Sequence, residues 1–143
     1  MPSSDVARAF VDAYNRADWG VLEALLGPQS VYDEVATGRR AEGELEIVDL
    51  FKGWRQAMPD AQGTVTNALD CGKTTVLEVT WTGTFTGPWT TPAGEVEPTN
   101  RHHTSPGCIV ATIEGNRLKD FRQYQDFMTL MAQLGLAAAP GPA

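Results

Sequence analysis

Apolar residues recur at helical spacing near the start of the chain. Phe10, Ala13 and Tyr14 share one helical face, and Ser3 or Ser4 is placed to cap this helix at its N-terminus. Two further segments of this kind and one near the C-terminus predict helices over residues 5–17, 21–26, 44–58 and 127–134.

Most of the second half of the chain shows the alternation that is typical of strands. The longest example places Leu77, Val79, Trp81 and Phe85 on one face, with polar residues and one valine on the other. Residues 87–100 carry several prolines and glycines, which favours a loop or an interrupted edge strand. The predicted strands are 31–35, 64–69, 74–85, 101–113 and 118–125.

This order of elements indicates an α+β fold, with the helices packed on one face of a curved sheet. The chain of 143 residues is long enough for one domain. We expect that domain to span residues 1–136, and we expect the tail AAAPGPA, residues 137–143, to be disordered.

Composition narrows the function classes. The net charge of −7 argues against binding to nucleic acid, since a phosphate footprint needs clustered Lys and Arg. No apolar run approaches the ~20 residues that span a bilayer, and no secretory signal is visible at the N-terminus. Cys71 and Cys108 lack the spacing of a redox or metal motif, which favours free thiols in the cytoplasm.

The last predicted strand lacks a clean apolar face. If its even positions point towards the helices, they line a cavity with polar groups among aromatic residues, which is the usual form of a small-molecule site. We therefore expect the cavity to receive Leu118, Asp120, Arg122, Tyr124 and Asp126.

Asp126 has two interpretations of equal weight. In an apolar cavity, the loss of solvation would raise the pKa of its carboxyl group towards neutrality and suit it to acid–base catalysis, although Arg122 would lower that pKa. Asp126 also stands one residue before a predicted helix, where Asp is a favoured N-cap. One residue can serve both purposes.

Other candidates are fewer and weaker. His102 and His103 are adjacent on a strand, so at most one of them enters the cavity. No metal-binding spacing of His and Cys occurs, so no metal site is predicted. The aromatic residues expected in the core or in the wall of the cavity are Tyr14, Trp19, Tyr32, Trp54, Trp81 and Tyr124, with Tyr32 and Tyr124 favoured as cavity residues.

Four stretches of the chain together resemble the SnoaL-like polyketide cyclases, a family with the cone-shaped nuclear-transport-factor-2-like fold. They are AFVDAYNRADWGVLEALL, GWRQAMPD, VTWTGTFTG and the ending GNRLKDFRQYQDFMTLMAQLG. The resemblance implies a cone-shaped fold in which N-terminal helices pack on a curved antiparallel or mixed sheet. It also implies a homodimer formed through the outer face of the sheet.

The resemblance implies a cofactor-independent intramolecular aldol condensation of an aromatic polyketide-type ester. In that interpretation Asp126 is the acid and base, and His103 and Tyr124 hydrogen-bond the enolate oxygen. The substrate would be small and apolar or aromatic, held by Arg122 and the aromatic residues named above. The alternatives are a ketosteroid-isomerase-like isomerase, a polyketide hydroxylase, and a module that binds an apolar ligand without catalysis.

Overall fold

The structure, a computed structural model, describes residues 2–91 and 93–136. Its helices are α1 (Ser3–Asn15), α2 (Trp19–Ala24), α3 (Glu44–Ala57) and α4 (Phe127–Gln133). Its strands are β1 (Val31–Glu34), β2 (Arg39–Glu42), β3 (Gln62–Cys71), β4 (Thr74–Thr84), β5 (Trp89–Thr91), β6 (Gly94–Val96), β7 (His102–Glu114) and β8 (Arg117–Gln125). The predicted tail, residues 137–143, lies outside the described residues.

A six-stranded sheet in the order β2-β1-β8-β7-β4-β3 forms the body of the molecule, and β5 and β6 form a separate two-stranded sheet. Neighbouring strands of the large sheet are antiparallel except β1 and β8, which are parallel with Tyr32 opposite Phe121. The α+β class and the mixed sheet that the sequence predicted are confirmed.

An aromatic cluster joins the helices to one face of the large sheet. Phe10 of α1 lies 5.1 Å from Phe51 of α3 and 5.1 Å from Phe121 of β8, measured between ring centroids. Tyr32 of β1 lies 4.6 Å from Phe121. The alternation predicted in β4 is also confirmed, because Leu77, Val79, Trp81 and Phe85 are all buried. This packing leaves a cavity lined by residues of both the helices and the sheet.

The N-terminus of α1 is capped by a residue from another element. Asp70 of β3 accepts hydrogen bonds from the Ser4 backbone N–H at 2.7 Å, from Ser4 Oγ at 2.7 Å and from Ser3 Oγ at 2.8 Å. The expected capping by Ser3 or Ser4 is therefore wrong: both serines are hydrogen-bond donors to a carboxylate that is distant in sequence. These bonds tie the first turn of α1 to the end of the sheet.

Short elements were missed where turn residues are frequent. No strand was predicted at residues 39–42, where the structure has β2. Residues 87–100, predicted as a loop or an interrupted edge strand, contain β5 and β6. The helix predicted over residues 21–26 begins earlier, at Trp19, where the Asp18 carboxylate accepts from the Val21 N–H at 3.2 Å. Strands β2 and β5 matter below, because Arg39 and Trp89 line a second cavity.

Candidate functional site

A β-bulge at Lys119 decides which side of β8 faces the helices. Leu118 pairs with Ile113 of β7, whereas Asp120 pairs with Thr112, so Lys119 is one extra residue on β8. Such a bulge reverses the alternation of faces along the strand. Leu118 is buried as predicted, but beyond the bulge the buried residues are the odd ones, Phe121 and Gln123.

The expectation that Arg122 and Tyr124 line the cavity is wrong for this reason. Tyr124 is 47% exposed, and the Arg122 Nε–H donates to its hydroxyl oxygen at 2.9 Å on the outer face of the sheet. Asp120 is partly exposed on the same face. Arg122 is therefore not among the residues that line the cavity described below.

Asp126 lies at the surface and caps α4. Its carboxylate accepts from the Thr129 N–H at 3.1 Å and from the Thr129 hydroxyl at 2.7 Å. These two bonds lower the pKa of Asp126, with the hydroxyl bond as the larger cause. Of the two interpretations, the N-cap is confirmed, and a rise of the pKa through burial is wrong because the carboxyl group is solvated. The catalytic role that the resemblance implies for Asp126 stays a prediction.

A narrow cavity of about 40 Å³ lies between the helices and the sheet; we call it the central cavity. This volume holds a few water molecules, since one water occupies about 10–15 Å³ on the same scale. Of the residues predicted from the sequence, Tyr14, Trp54, Trp81 and His103 line it. The lining residues that the sequence did not predict are Phe51, Met58, Ala61, Thr82, Gln123, Gln125 and Leu130.

His103 is the buried member of the histidine pair. It is 2% exposed, and its Nδ1 lies 3.0 Å from the Ser105 hydroxyl oxygen, two residues along the same face of β7. Burial, helped by the neighbouring charge of His102, lowers the pKa of His103 to about 4. Its imidazole is therefore neutral at pH 7. His102 points to the exposed face, where its Nδ1 lies 2.9 Å from Thr84 Oγ1.

Tyr14 is the other ionisable residue in the lining of the central cavity. Burial raises the pKa of its phenol to about 12, against a smaller opposing effect of the Arg55 guanidinium. The hydroxyl group therefore stays protonated at physiological pH. Within the described lining, His103 is thus the one side chain with a basic nitrogen, and that nitrogen is unprotonated at pH 7.

A chain of hydrogen bonds runs from the cavity wall into the core. The indole N–H of Trp81 donates to Gln123 Oε1 at 2.6 Å, and Gln123 Nε2 donates to the Tyr32 hydroxyl at 3.0 Å. Tyr32 is fully buried behind Gln123, and burial raises its pKa well above the usual range. Tyr32 is not among the lining residues of the central cavity. The prediction that it lines the cavity is therefore wrong, and it lies in the core behind Gln123.

Trp19, predicted to line the cavity, lies outside it, whereas Gln125, which was not predicted, lines it. Trp19 packs on Tyr14, with ring centroids 6.1 Å apart, and lies outside the lining of the central cavity. Gln125 lines that cavity, and its buried Oε1 has no hydrogen-bond partner among the described residues. A ligand hydroxyl in the cavity would satisfy this acceptor.

A buried carboxylate that the sequence analysis missed lies beside the cavity. Glu34 is 1% exposed, and its Oε2 accepts from the Trp54 indole N–H at 2.8 Å. Its Oε1 accepts from Arg39 Nη2 at 2.9 Å, from Arg39 Nε at 3.2 Å and from the Thr37 hydroxyl at 2.7 Å. Strand alternation was the available signal, since Glu34 stands two positions after Tyr32, which was expected to be buried.

Within residues 2–91 and 93–136, no group of three or more His, Cys, Asp and Glu side chains is arranged to hold a metal ion. In the same part of the chain, no helix is long and apolar enough to cross a membrane.

The family model of the SnoaL-like polyketide cyclases matches residues 4–134. The chain belongs to this family. Its nuclear-transport-factor-2-like fold, expected from the four sequence stretches, is confirmed by solved structures with the same architecture. No curated protein matches the chain in sequence at a significant level.

Solved SnoaL-like structures resemble the chain over nearly its whole length. IdmH of Streptomyces antibioticus, a proposed polyketide cyclase, is 21% identical with a TM-score of 0.79, covering 94% of this chain and 99% of its own. AclR of Streptomyces galilaeus, a proposed hydroxylase, is 19% identical with a TM-score of 0.79, covering 96% and 87%. A ketosteroid-isomerase-like protein of Catenulispora acidiphila in complex with trimethylamine is 19% identical with a TM-score of 0.79, covering 96% and 97%. At identities this low, the similarity to these proteins shows that the chain shares their fold.

Proposed function

We propose that this SnoaL-like protein is a cofactor-independent cyclase that closes a ring in a polyketide-type ester, with His103 as its acid and base. One observation carries the proposal. His103 is buried against the central cavity, and it is the one described lining residue with a basic nitrogen, which is unprotonated at pH 7.

The proposed reaction is an intramolecular aldol condensation. With Nδ1–H donating to Ser105, the free Nε2 of His103 removes a proton from a carbon flanked by two carbonyl groups. The resulting enolate carbon attacks a ketone of the same molecule, which forms a C–C bond and an alkoxide. The imidazolium then returns its proton to the alkoxide, so substrate and product are isomers and the enzyme is unchanged.

The low pKa of the free His103 is compatible with this cycle, because the enolate raises that pKa as the proton is transferred. A free imidazole with a pKa of about 4 is a weak base, but the enolate that forms beside it is an anion in apolar surroundings. An adjacent negative charge stabilises the imidazolium and raises its pKa during the reaction. Tyr14, which stays protonated, supplies a donor from the cavity wall to the enolate oxygen.

Substrate binding requires the central cavity to widen. Its volume of about 40 Å³ excludes any molecule with several rings. Met58 and Leu130 form part of its wall, and a methionine side chain rearranges easily because it is unbranched. A flexible substrate held in one conformer by the widened cavity gains rate through positioning of its reacting carbons.

Binding without catalysis is the second candidate. The residues of β8 that line the cavity are Gln123 and Gln125, and their amides cannot exchange a proton near neutral pH. A site with one weak base and several hydrogen-bonding groups also suits simple sequestration of a polar aromatic molecule. Isomerisation or hydroxylation, the other activities considered, would use the same cavity.

The test uses aromatic keto esters whose activated methylene and ketone are spaced for closure of a six-membered ring. Cyclisation gives an isomer that chromatography separates from the substrate. We expect turnover by the wild type and a loss of at least about 100-fold in the variant His103→Gln. Thr104→Ser, at an exposed position on the same strand, is the matched control and should keep full turnover.

The outcomes separate the two candidates. Full turnover by His103→Gln would contradict the assignment of the base. Quenching of tryptophan fluorescence by the keto esters, with no isomer formed by the wild type, would favour the binding module.

We also propose a homodimer through the outer face of β4, where Val76 and Thr80 are half-buried and Glu78 is exposed. Sedimentation at micromolar concentration tests it, and a monomer would contradict it.

A further inference from the structure

A second cavity of about 270 Å³ opens beside the central one and is several times larger. We call it the outer cavity; it is lined by Thr37, Arg39, Trp89, Thr91 and Phe127. Trp54 connects the two, because it lines the central cavity and its ring centroid lies 5.1 Å from that of Trp89. The volume of the outer cavity lies just below the lower end of the range for small-molecule sites, about 300 Å³, so this cavity suits a small molecule of one or two rings.

The walls of the outer cavity are aromatic. Trp89 and Phe127 meet at 6.3 Å with their ring planes 68° apart, and the Trp54 and Trp89 rings are tilted by 32°. Both tryptophans are nearly buried, so their positions are set by packing. Flat aromatic molecules pack well on such surfaces because they form stacked and edge-to-face contacts.

Arg39 is one of two residues of the outer cavity whose side chains can still donate a hydrogen bond. Its Nε and Nη2 are held by Glu34, and its Nη1 has no hydrogen-bond partner among the described residues. The Trp89 indole N–H also has no partner among them, whereas the hydroxyl groups of Thr37 and Thr91 already donate, to Glu34 and to the Gly94 carbonyl. Of the two free donors, Arg39 Nη1 is the stronger, because a hydrogen bond from a charged guanidinium is stronger than one from a neutral indole.

The charge of Arg39 is neutralised before any ligand binds. The Glu34 carboxylate that holds it is fully buried, 2.9 Å from Nη2. An anionic ligand at Arg39 would approach this carboxylate and be repelled by it in a medium of low dielectric. A neutral carbonyl oxygen receives the same hydrogen bond without that repulsion. The pair thus presents N–H donors with no net charge.

We propose that the outer cavity binds a neutral aromatic ketone or quinone-type carbonyl compound, with its ring against Trp89 and Phe127 and its carbonyl oxygen on Arg39 Nη1. The claim that this molecule is the aromatic part of the substrate rests on the proposed function. The binding preference itself rests only on the outer cavity. Burying the carboxylate of Glu34 costs desolvation free energy. Its role in holding the Arg39 guanidinium in place would explain why a charged residue occupies this position.

The test compares three probes of similar size by calorimetry at pH 7: 1-acetonaphthone, the 1-naphthoate anion and 1-ethylnaphthalene. We expect the wild type to bind the ketone at least about 10-fold more tightly than either of the others. Arg39→Lys keeps a cation beside Glu34 but removes Nη1, and should reduce this preference to less than about 3-fold. Arg40→Lys, on the same strand but exposed, is the matched control and should not change it.

Two further variants, Trp89→Leu and His103→Gln, test where the probes bind and whether binding is independent of turnover. Trp89→Leu should weaken all three probes by about 10-fold and keep their order, so it tests whether they bind in the outer cavity. If Arg39→Lys fails to fold, Arg39→Gln tests the preference in its place. Tighter binding of naphthoate than of the ketone, or an unchanged preference in Arg39→Lys, would overturn the proposal. His103→Gln should keep the binding preference, so loss of turnover there and loss of preference in Arg39→Lys report on separate claims.

Discussion

The indole of Trp81 lies directly over Gly107 of the neighbouring strand. A Cβ atom on Gly107 would stand 2.9 Å from Trp81 Nε1 and 3.1 Å from Gln123 Oε1, closer than ordinary contacts allow. The absence of a side chain at this position therefore lets Trp81 reach Gln123 and form the wall of the central cavity.

Gly107→Ala should displace the Trp81 ring and lengthen its hydrogen bond to Gln123. We expect the free energy of unfolding to fall by about 1–3 kcal/mol, as for overpacked cores, and the tryptophan emission to shift. Urea titration and fluorescence measure both. Gly53→Ala in α3 is the control, because nothing lies within 4 Å of its added Cβ. Helix propensity predicts that this control gains up to about 1 kcal/mol.

The burial of His103 should make stability depend on pH. Its pKa falls from the ordinary 6.5 to about 4 in the folded protein, so the unfolded chain binds more protons between these values. Stability from this group is therefore complete above about pH 6.5 and is lost as the pH falls towards 4. At about 1.4 kcal/mol per pKa unit, the loss approaches ~3 kcal/mol.

Urea titrations of the wild type and of His103→Gln at pH 4, 5, 6 and 7 measure this difference. The variant should lack the loss, so the two free-energy curves should converge as the pH falls. Parallel curves would show that His103 is solvated or already paired with an acid.

Asp126→Ser separates the cap from the catalyst. Serine can accept the Thr129 N–H bond as aspartate does, but it cannot exchange a proton near neutral pH. With His103 as the acid and base, we expect Asp126→Ser to keep its turnover of the keto esters. Asp126→Ala should lose helix content at α4 in amide exchange and bind the substrate more weakly. A turnover loss of about 100-fold in Asp126→Ser would instead support the role that the family resemblance implies.

Glu34→Gln should be strongly destabilising. The amide cannot neutralise Arg39, and its NH2 group would face a donor at one of the two present oxygen positions. We expect a loss of about 3 kcal/mol in the free energy of unfolding, together with a red shift of tryptophan emission from Trp54. Asp33→Asn breaks the exposed pair with Arg40 one residue earlier, and should cost less than about 1 kcal/mol. Equal losses in the free energy of unfolding in the two variants would contradict the expectation that the buried ion pair of Glu34 matters more for stability than the exposed pair of Asp33.

The large elements of the fold were predictable because their patterns are long. Helix α3 and strands β4, β7 and β8 each carry enough apolar residues at one spacing to indicate their type. The elements β2, β5 and β6 are only three or four residues long and rich in Gly, Arg and Thr, so local preference favours turns there. Pairing with a neighbouring strand, a tertiary contact, decides their conformation.

The site was harder to predict because one residue reverses a pattern. Counting outward from the buried Leu118 assigns Arg122, Tyr124 and Asp126 to the interior, and the extra residue Lys119 moves all of them to the surface. No local signal marks a bulge at a lysine. Trp81 was placed on the buried face correctly because its strand is regular there, and of the pair His102 and His103 only one was expected to face the cavity, without a choice between them.

The parallel pairing of β1 with β8 sets Val31 opposite Asp120, near the two ends of the chain. During synthesis, β1 and β2 leave the ribosome long before β8, the strand that joins them to the rest of the sheet, has been made. Their exposed backbone groups must wait for the final strand, and closing such a long loop slows folding. A nascent or truncated chain that lacks β8 would therefore keep an unpaired strand edge and be prone to aggregation.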